Sequence, residues 1–459
     1  MTADGTQRQE PVHLLLVASV ALITLAAFES LAVATVMPRV AEDLGGLSLY
    51  AVAAGAPLAA QLIGTAVAGA WSDSRGPVGS LVTGIVLFCG GLVLAGLAPT
   101  MAVLAVGRGV QGLGAGLLMV PLYVLVGAVV PAAQQPRFFA AFAAAWVVPG
   151  LVGPAVAGLV AEHLTWRLVL LVVPVLTVLV AVVFLPRLRT VLAVPARTGG
   201  GGATRRLVLA AVGAGLAAAA LQVAGSDPGP TALALAGGGL VLLVLSVPVL
   251  VPAGTLTLRA GVPAAIACRG LLNASFVAAE TFLPLLLVRV HGWSVALAGV
   301  VLTVSSLTWA GGSAVQGRVR DPRWRSRLTW LGPSLLALGT TATAAATAPG
   351  VPPTVVVLGW TVAGAGIGLV FPALSVLVLQ GTAPERHGQV SSALQISDAL
   401  GAALGLAAAG ALVIGLVDRG GTVAYLAGLL VAAGLAVLAA VAGSRASAAP
   451  AVVETPSRG

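Results

Sequence analysis

Residues 12–38 read VHLLLVASVALITLAAFESLAVATVMP, an unbroken apolar run with a single charged residue, Glu29, in its second half. At about 1.5 Å per helical residue such a run spans a hydrocarbon core of about 30 Å. The same pattern recurs along the whole chain. About fourteen apolar stretches alternate with short polar turns, and hydrophobic residues make up 59% of the sequence against 8% charged. Mean hydropathy is +1.07, whereas an ordinary globular domain carries roughly a quarter charged residues. The chain is therefore an all-α membrane protein of about 14 transmembrane helices, since a lipid-exposed backbone must satisfy its hydrogen bonds within each segment.

Interruptions by Arg, Asp, Pro and Gly place the spans in an order of six, two and six. Residues 1–186 form an N-terminal six-helix bundle and 187–206 an Arg- and Gly-rich cytoplasmic loop. Two extra transmembrane helices follow over 207–252, then a C-terminal six-helix bundle over 253–442. Residues 443–459 are small and polar and are expected to be a disordered cytoplasmic tail. The 207–252 hairpin holds no intramembrane charge and is expected to be peripheral.

All 23 basic residues are arginine. Most lie in alternate loops that share a face with both termini, at Arg75, Arg137, the 187–206 cluster, Arg259, Arg318 to Arg327 and Arg386. The opposite loops hold only Arg39, Arg167, Arg289 and Arg419, so both ends are expected to be cytoplasmic by the excess of positive charge on that side. The net charge of +9 thus reports topology and not nucleic-acid binding. The first span lacks a basic leader and a cleavage site and is expected to be retained. Cys89 and Cys268 fall in different spans and suit buried apolar positions better than a disulfide or a metal site. The sequence has no nucleophile and base pair, no phosphate-binding loop and no metal-ligand spacing, so no enzyme, cofactor or metal is expected. His13, His163, His291 and His387 stand near span ends and read as interfacial.

Four charged residues lie well inside spans: Glu29, Arg108, Glu280 and Asp398. Each costs about 2.5 to 3.5 kcal/mol on insertion scales, so each needs compensation or a function. Glu29 and Arg108 both lie roughly 13 Å from the outer ends of their helices, at a depth where they can pair. Glu280 occupies in the first helix of the second six the depth that Glu29 occupies in the first six, which suggests two related halves. Asn273, Glu280 and Pro284 share one helix face, and Ser391, Gln395 and Asp398 share another. For Gln61, Gln111, Asn273 and Gln395 two readings stay open, the lining of a substrate cavity and an interhelical hydrogen bond.

A carboxyl in a water-poor cavity has its neutral form favoured, and a nearby arginine opposes this. An acid whose distance from arginine changes as helices rock therefore gains and loses protons. Glu29, Arg108, Glu280 and Asp398 are the candidate proton-coupling residues. Glu280 and Asp398 have no evident arginine at their depth, because Arg269 and Arg386 lie towards the cytoplasmic ends, so each is expected to bind a proton or meet a cationic substrate.

Taken together, four stretches resemble the major facilitator superfamily, specifically its fourteen-helix drug:proton antiporter branch. Gly69, Asp73, Arg75 and Gly76 resemble its cytoplasmic loop motif, with Ser74, Pro77 and Val78 where basic residues are usual. Arg108, Gln111, Gly112 and Gly114 resemble its fourth-span motif, and the resemblance implies that the arginine takes part in proton transfer. Gly150, Gly153, Pro154 and Gly158 resemble its antiporter motif, with Ala157 where a glycine is usual, and TVMPRVAEDLG after Glu29 resembles its first-helix signature. The resemblance implies two six-helix bundles about a central cavity that work by alternating access. It implies proton-coupled efflux of a hydrophobic or amphipathic small molecule across the cytoplasmic membrane. Export of a lipid or secreted metabolite is the alternative, and a membrane sensor that has lost transport is a third reading. The expected partners are the lipid bilayer, the substrate and protons, and the expected state is a monomer.

Overall fold

The computed structural model describes residues 4–131, 135–184, 186, 201–226, 229–319, 321–383, 387–416 and 421–447. Among them, all regular structure is helical. The first six helices are α1 (Asp4–Asp43), α2 (Tyr50–Arg75), α3 (Pro77–Gly96), α4 (Met101–Val129), α5 (Gln135–His163) and α6 (Trp166–Phe184). Two follow, α7 (Gly201–Ala224) and α8 (Pro230–Leu250). The last six are α9 (Val262–Arg289), α10 (Val295–Arg318), α11 (Pro322–Ala345), α12 (Thr354–Gln380), α13 (His387–Leu416) and α14 (Gly421–Ala446).

Thirteen of these helices are long and apolar enough to cross a membrane. The exception, α11, opens on Arg323, Arg325 and Arg327 and closes on a Thr- and Ala-rich stretch. It nevertheless lies inside the second bundle against α12 and α14, with Leu336, Thr340 and Thr343 buried. Local chemistry sets the helix ends. Thr100 Oγ1 accepts from the Val103 N–H at 3.4 Å, Ser294 Oγ from Leu297 N–H at 3.2 Å and Asp321 Oδ1 from Arg323 N–H at 2.8 Å, each satisfying a donor that a helix start leaves free. Between α2 and α3 the chain reverses at Gly76, whose φ of 82° lies in the region that favours glycine, and Pro77 opens the next helix.

Two boundaries differ from the sequence reading. Residues 201–206, expected in the loop, are the first turns of α7, and 443–446, expected in the tail, are the last turn of α14. The second difference has a contact behind it. Thr329 Oγ1 donates to the Gly443 carbonyl at 2.9 Å, and the Arg445 carbonyl accepts from the Gly261 N–H at 3.2 Å, so α11 and the start of α9 hold this turn. Residues 187–200 and 448–459 lie outside the described residues.

Helices α1 to α6 pack on one another, as do α9 to α14, and the two sets meet where α5 lies against α10 and α2 against α13. The four glycines at 107, 112, 114 and 116 of α4 recur at 359, 364, 366 and 368 of α12. Their roles recur too. A side chain on Gly112 or Gly116 would strike the carbonyls of Pro57 or Gln61 on α2, and one on Gly364 or Gly368 those of Ser305 or Trp309 on α10. Gly107 and Gly114 meet α3 at Gly91 and Gly84, and Gly359 and Gly366 meet α11 at Gly339 and Gly332. Small residues let helix backbones approach, and here they do so in one register in both halves.

The inserted pair is not wholly peripheral. Helix α7 sits in the seam between α2 and α13, while α8 packs chiefly on α7. Ala59, Ala218 and Ala403, one from each of α2, α7 and α13, form a buried cluster, and Gln222 Nε2 donates to the Ala403 carbonyl at 3.4 Å. The seam admits α7 because α7 presents no side chain at Gly215, where a Cβ would lie 2.5 Å from Ile63 Cγ1 and 2.7 Å from the Ala59 carbonyl of α2. Gly215→Leu should therefore cost about 1–3 kcal/mol by overpacking and lower the thermal midpoint in detergent. Gly237→Leu on α8, where nothing lies within 4 Å of the added Cβ, should leave it unchanged or raise it. Equal midpoints for the two variants would show that α7 is not held by this seam.

Candidate functional site

Glu29 comes from the middle of α1, Arg108 and Gln111 from one face of α4 at a spacing of three. Glu29 is 1% exposed, Arg108 6% and Gln111 4%. They close a triangle. Arg108 Nη1 donates to Glu29 Oε1, and to Gln111 Oε1 at 3.0 Å, and Gln111 Nε2 donates to Glu29 Oε2 at 3.0 Å. Both carboxylate oxygens and the glutamine amide are thus engaged, which helps a buried ion pair offset its desolvation, while Arg108 Nε is buried without a hydrogen-bond partner among the described residues. The pairing expected from equal depth is present. Gln111 is a third member for which the sequence left two readings open, and its spacing from Arg108 was the signal.

This triangle borders a cavity of about 170 Å³ between the halves, into which Gln61, Tyr50, Trp146, Glu280 and Thr281 also face. Glu29 and Glu280, expected at matching depths, therefore share one space. Glu280 has no hydrogen-bonding or ion-pair partner among the described residues. Of the four polar residues read as cavity lining, Gln61 and Gln111 border this space and the other two do not. Asn273 Nδ2 donates to the Asp398 backbone carbonyl at 2.8 Å, joining α9 to α13, and Gln395 is exposed on α13.

The structure corrects one expectation. Asp398 is not without arginine: Arg269 Nε and Nη2 each donate to one of its carboxylate oxygens at 2.9 Å. The remaining nitrogen, Nη1, reaches Ser375 Oγ at 2.7 Å and the Phe371 carbonyl at 3.2 Å, and the guanidinium lies 3.3 Å over the Phe371 ring. Depth counted by backbone position hid this pair because α9 and α13 run in close contact. A Cβ on Gly401 would press on the backbone of Gly270, and one on Gly405 on that of Ala274, so the long arginine side chain spans the remaining offset. Cys89 and Cys268 are both free and buried.

Next come the motif residues. Gly150, Gly153, Pro154 and Gly158 lie on the face of α5 that meets α10 and α1: Gly150 against Ser306, Gly153 against Phe28, the Pro154 carbonyl against Gly299 and Gly158 against Ala296. Glu162 Oε1 then accepts from the Ala296 N–H at 2.9 Å at the start of α10. At the same end Tyr50 Oη donates to the Thr281 carbonyl at 3.0 Å, its ring 5.9 Å from Phe282. The halves are thus joined at the end that carries the 43–50 turn. Gly69 has open space around it, and Asp73 and Arg75, at the opposite end, are exposed.

This arrangement of two glycine-registered six-helix sets about a central, charge-bearing cavity is that of a membrane transporter. The chain belongs to the Major Facilitator Superfamily, whose family model matches residues 17–406. It is 26% identical over 423 residues to a "Probable multidrug-efflux transporter" of Mycobacterium tuberculosis, covering 87% of this chain and 86% of that one. It is 29% identical over 188 residues to the "Multidrug transporter protein MdtP" of Bacillus subtilis, but this covers only 41% of this chain and 34% of that one. Among solved structures, a peptide transporter with bound sulfate matches with a TM-score of 0.67 at 17% identity over 93% of both chains. A D-xylose-proton symporter matches with a TM-score of 0.65 at 14% identity over 94% of this chain and 96% of that one. At such identities the structural matches show the fold.

Removing one partner of a buried pair strands the other, which typically costs about 3–5 kcal/mol. Arg108→Ala should therefore lower the thermal midpoint of the purified protein more than Glu29→Gln, which keeps the shape and a hydrogen-bonding group. The double variant Glu29→Gln, Arg108→Gln should recover part of the loss. Additive losses in the double variant would mean that the two side chains are not energetically coupled.

Proposed function

We propose that this chain exports a hydrophobic or amphipathic small molecule across the cytoplasmic membrane in exchange for protons, by alternating access. The observation that carries the reading is the placement of Glu29, Arg108, Gln111 and Glu280 around one cavity between the two halves. The cavity is smaller than the roughly 300–1,000 Å³ of drug-sized sites, so a substrate enters only as the halves part. Glycine faces on α4, α5 and α12 supply surfaces along which packed helices slide. With both termini on the cytoplasmic side, as the arginine distribution supports, the end joined by Tyr50, Thr281 and Glu162 is the outer one. An exporter loads from the cytoplasm, so on this reading the halves part at the opposite end to admit substrate. The names of the mycobacterial and Bacillus relatives support efflux of drugs.

Lipid export is the second reading. It draws on a separate cavity of about 680 Å³ between α7, α8 and α13, whose described lining is Ala, Gly and Leu. We take the working unit to be a monomer, since one chain encloses the central cavity.

The test uses purified full-length protein in proteoliposomes, with ethidium, a neutral lipophilic dye and a fluorescent phospholipid as probes. An imposed pH gradient should drive uphill movement of at least one dye, and a protonophore should abolish it. Movement that ignores the gradient would rule out proton exchange, and movement of the phospholipid alone would favour the second reading. Glu280→Gln should slow ethidium, a cation, more than the neutral dye; equal slowing would reject a role for this acid in recognising charge.

A further inference from the structure

The repeated glycine register allows residue-by-residue comparison of the two halves. In α4 the residue after the first glycine of the set is Arg108, and in α12 the residue after the corresponding Gly359 is Trp360. Gln111, just before Gly112, corresponds to Ala363, just before Gly364, and Gln61, which meets Gly116, corresponds to Trp309, which meets Gly368. Glu29 and Glu280 stand in the equivalent first helices. The second half has therefore kept the acid and replaced every polar group that holds its counterpart. Trp360 is fully buried, with its ring centroid 4.9 Å from that of Phe276, one turn before Glu280 on α9, and Phe276 meets Trp309 edge-on at 5.2 Å. Aromatic packing fills the place of the guanidinium.

The three acids that lie well inside the spans thus have different fates. Glu29 is held through both oxygens by Arg108 and Gln111, and Asp398 through both oxygens by Arg269. Glu280 has no hydrogen-bonding or ion-pair partner among the described residues. The charged and titratable groups around it do not change this. Glu29 and Arg108 line the same cavity but are bonded to each other, and Tyr50 gives its hydroxyl proton to the Thr281 carbonyl. Arg289 and Tyr425 stand near the Tyr50 hydroxyl. Of the other helices packed on α9, α12 has no charged residue. Those of α10 and α11 lie at Arg318 and at Arg323 to Arg327, that of α14 at Arg445, all at helix ends, and α13 contributes Asp398, already paired.

We propose that Glu280, and not the paired Glu29, is the carboxyl that exchanges its proton for substrate, freed for this by Trp360 in the place of a basic partner. The proposal deepens the antiport reading and rests on it. An uncompensated charge inside the bilayer is costly, so a carboxyl without a partner is served either by a proton or by a cation in the cavity. The two occupancies exclude each other, which is what exchange requires. On loading, the Glu280 O–H bond breaks and the proton leaves to water on the open side. After substrate leaves on the other side, the carboxylate takes one proton from water there. One carboxyl accounts for one proton per cycle. The Glu29, Arg108 and Gln111 triangle fixes α1 to α4 throughout.

Infrared difference spectroscopy across a pH titration of the purified full-length protein reads the acid directly, without transport. Wild type should show a buried-carboxyl C=O band that grows and fades with pH. The band should vanish in Glu280→Gln and persist in the double variant Glu29→Gln, Arg108→Gln, which removes both charges of the pair together and so avoids a stranded arginine. A band that persists in Glu280→Gln, or disappears in the double variant, overturns the assignment. A wild type that shows the band but moves dye in vesicles without regard to the pH gradient overturns the antiport reading, and the exchange role with it.

Discussion

A charge in the hydrocarbon interior has to be met by an opposite charge or by a proton, and the layout of both halves follows from how each buried acid meets that demand. In the first half Glu29 ties α1 to α4 through Arg108 and Gln111. In the second, Asp398 ties α13 to α9 and, through the same arginine, to α12. These are helices that share little sequence proximity, and each pair sets how deep and at what rotation they meet. Glu280 stands outside both sets, on the cavity that the halves share.

Glycine makes those meetings geometrically available. In lipid, apolar surface gives helices little reason to prefer one another over acyl chains, so association depends on close packing and polar contacts. The matched glycines of α4 and α12 bring each against its two neighbours at backbone distance, and Gly158 of α5 does the same across the junction of the halves. A transporter that rocks needs surfaces that pack tightly yet slide, and a glycine face without protruding side chains meets both demands. The seat of α7 uses the same device, which turns an inserted helix into a wedge between α2 and α13.

Much of this was legible in the chain. The number of spans, the all-helical class, the partnership of Glu29 with Arg108 and the likeness of the two halves follow from apolar run length, from depth counted along a helix and from motif residues. Gln111 was visible as a member of the α4 face, though its bonds were not. The pairing of Asp398 was hidden, because counting depth compares backbone positions, and the long Arg269 side chain reaches along the close contact of α9 and α13, where Gly270 meets Gly401. Asn273 was seen on the right face and yet turns to the Asp398 backbone instead of the cavity.

What the sequence by itself determined is composition along one dimension: where the chain is apolar, which side its arginines favour and how far into a span each acid lies. Solvent transfer acts on each segment separately, so those features need no knowledge of neighbours. The tertiary structure alone decided that Asp398 is bonded to Arg269, that α7 lies in a seam and that Trp360 packs on Phe276. Each depends on close helix contacts set by glycines and side chains from segments far apart in the chain, and no local pattern records which helices meet.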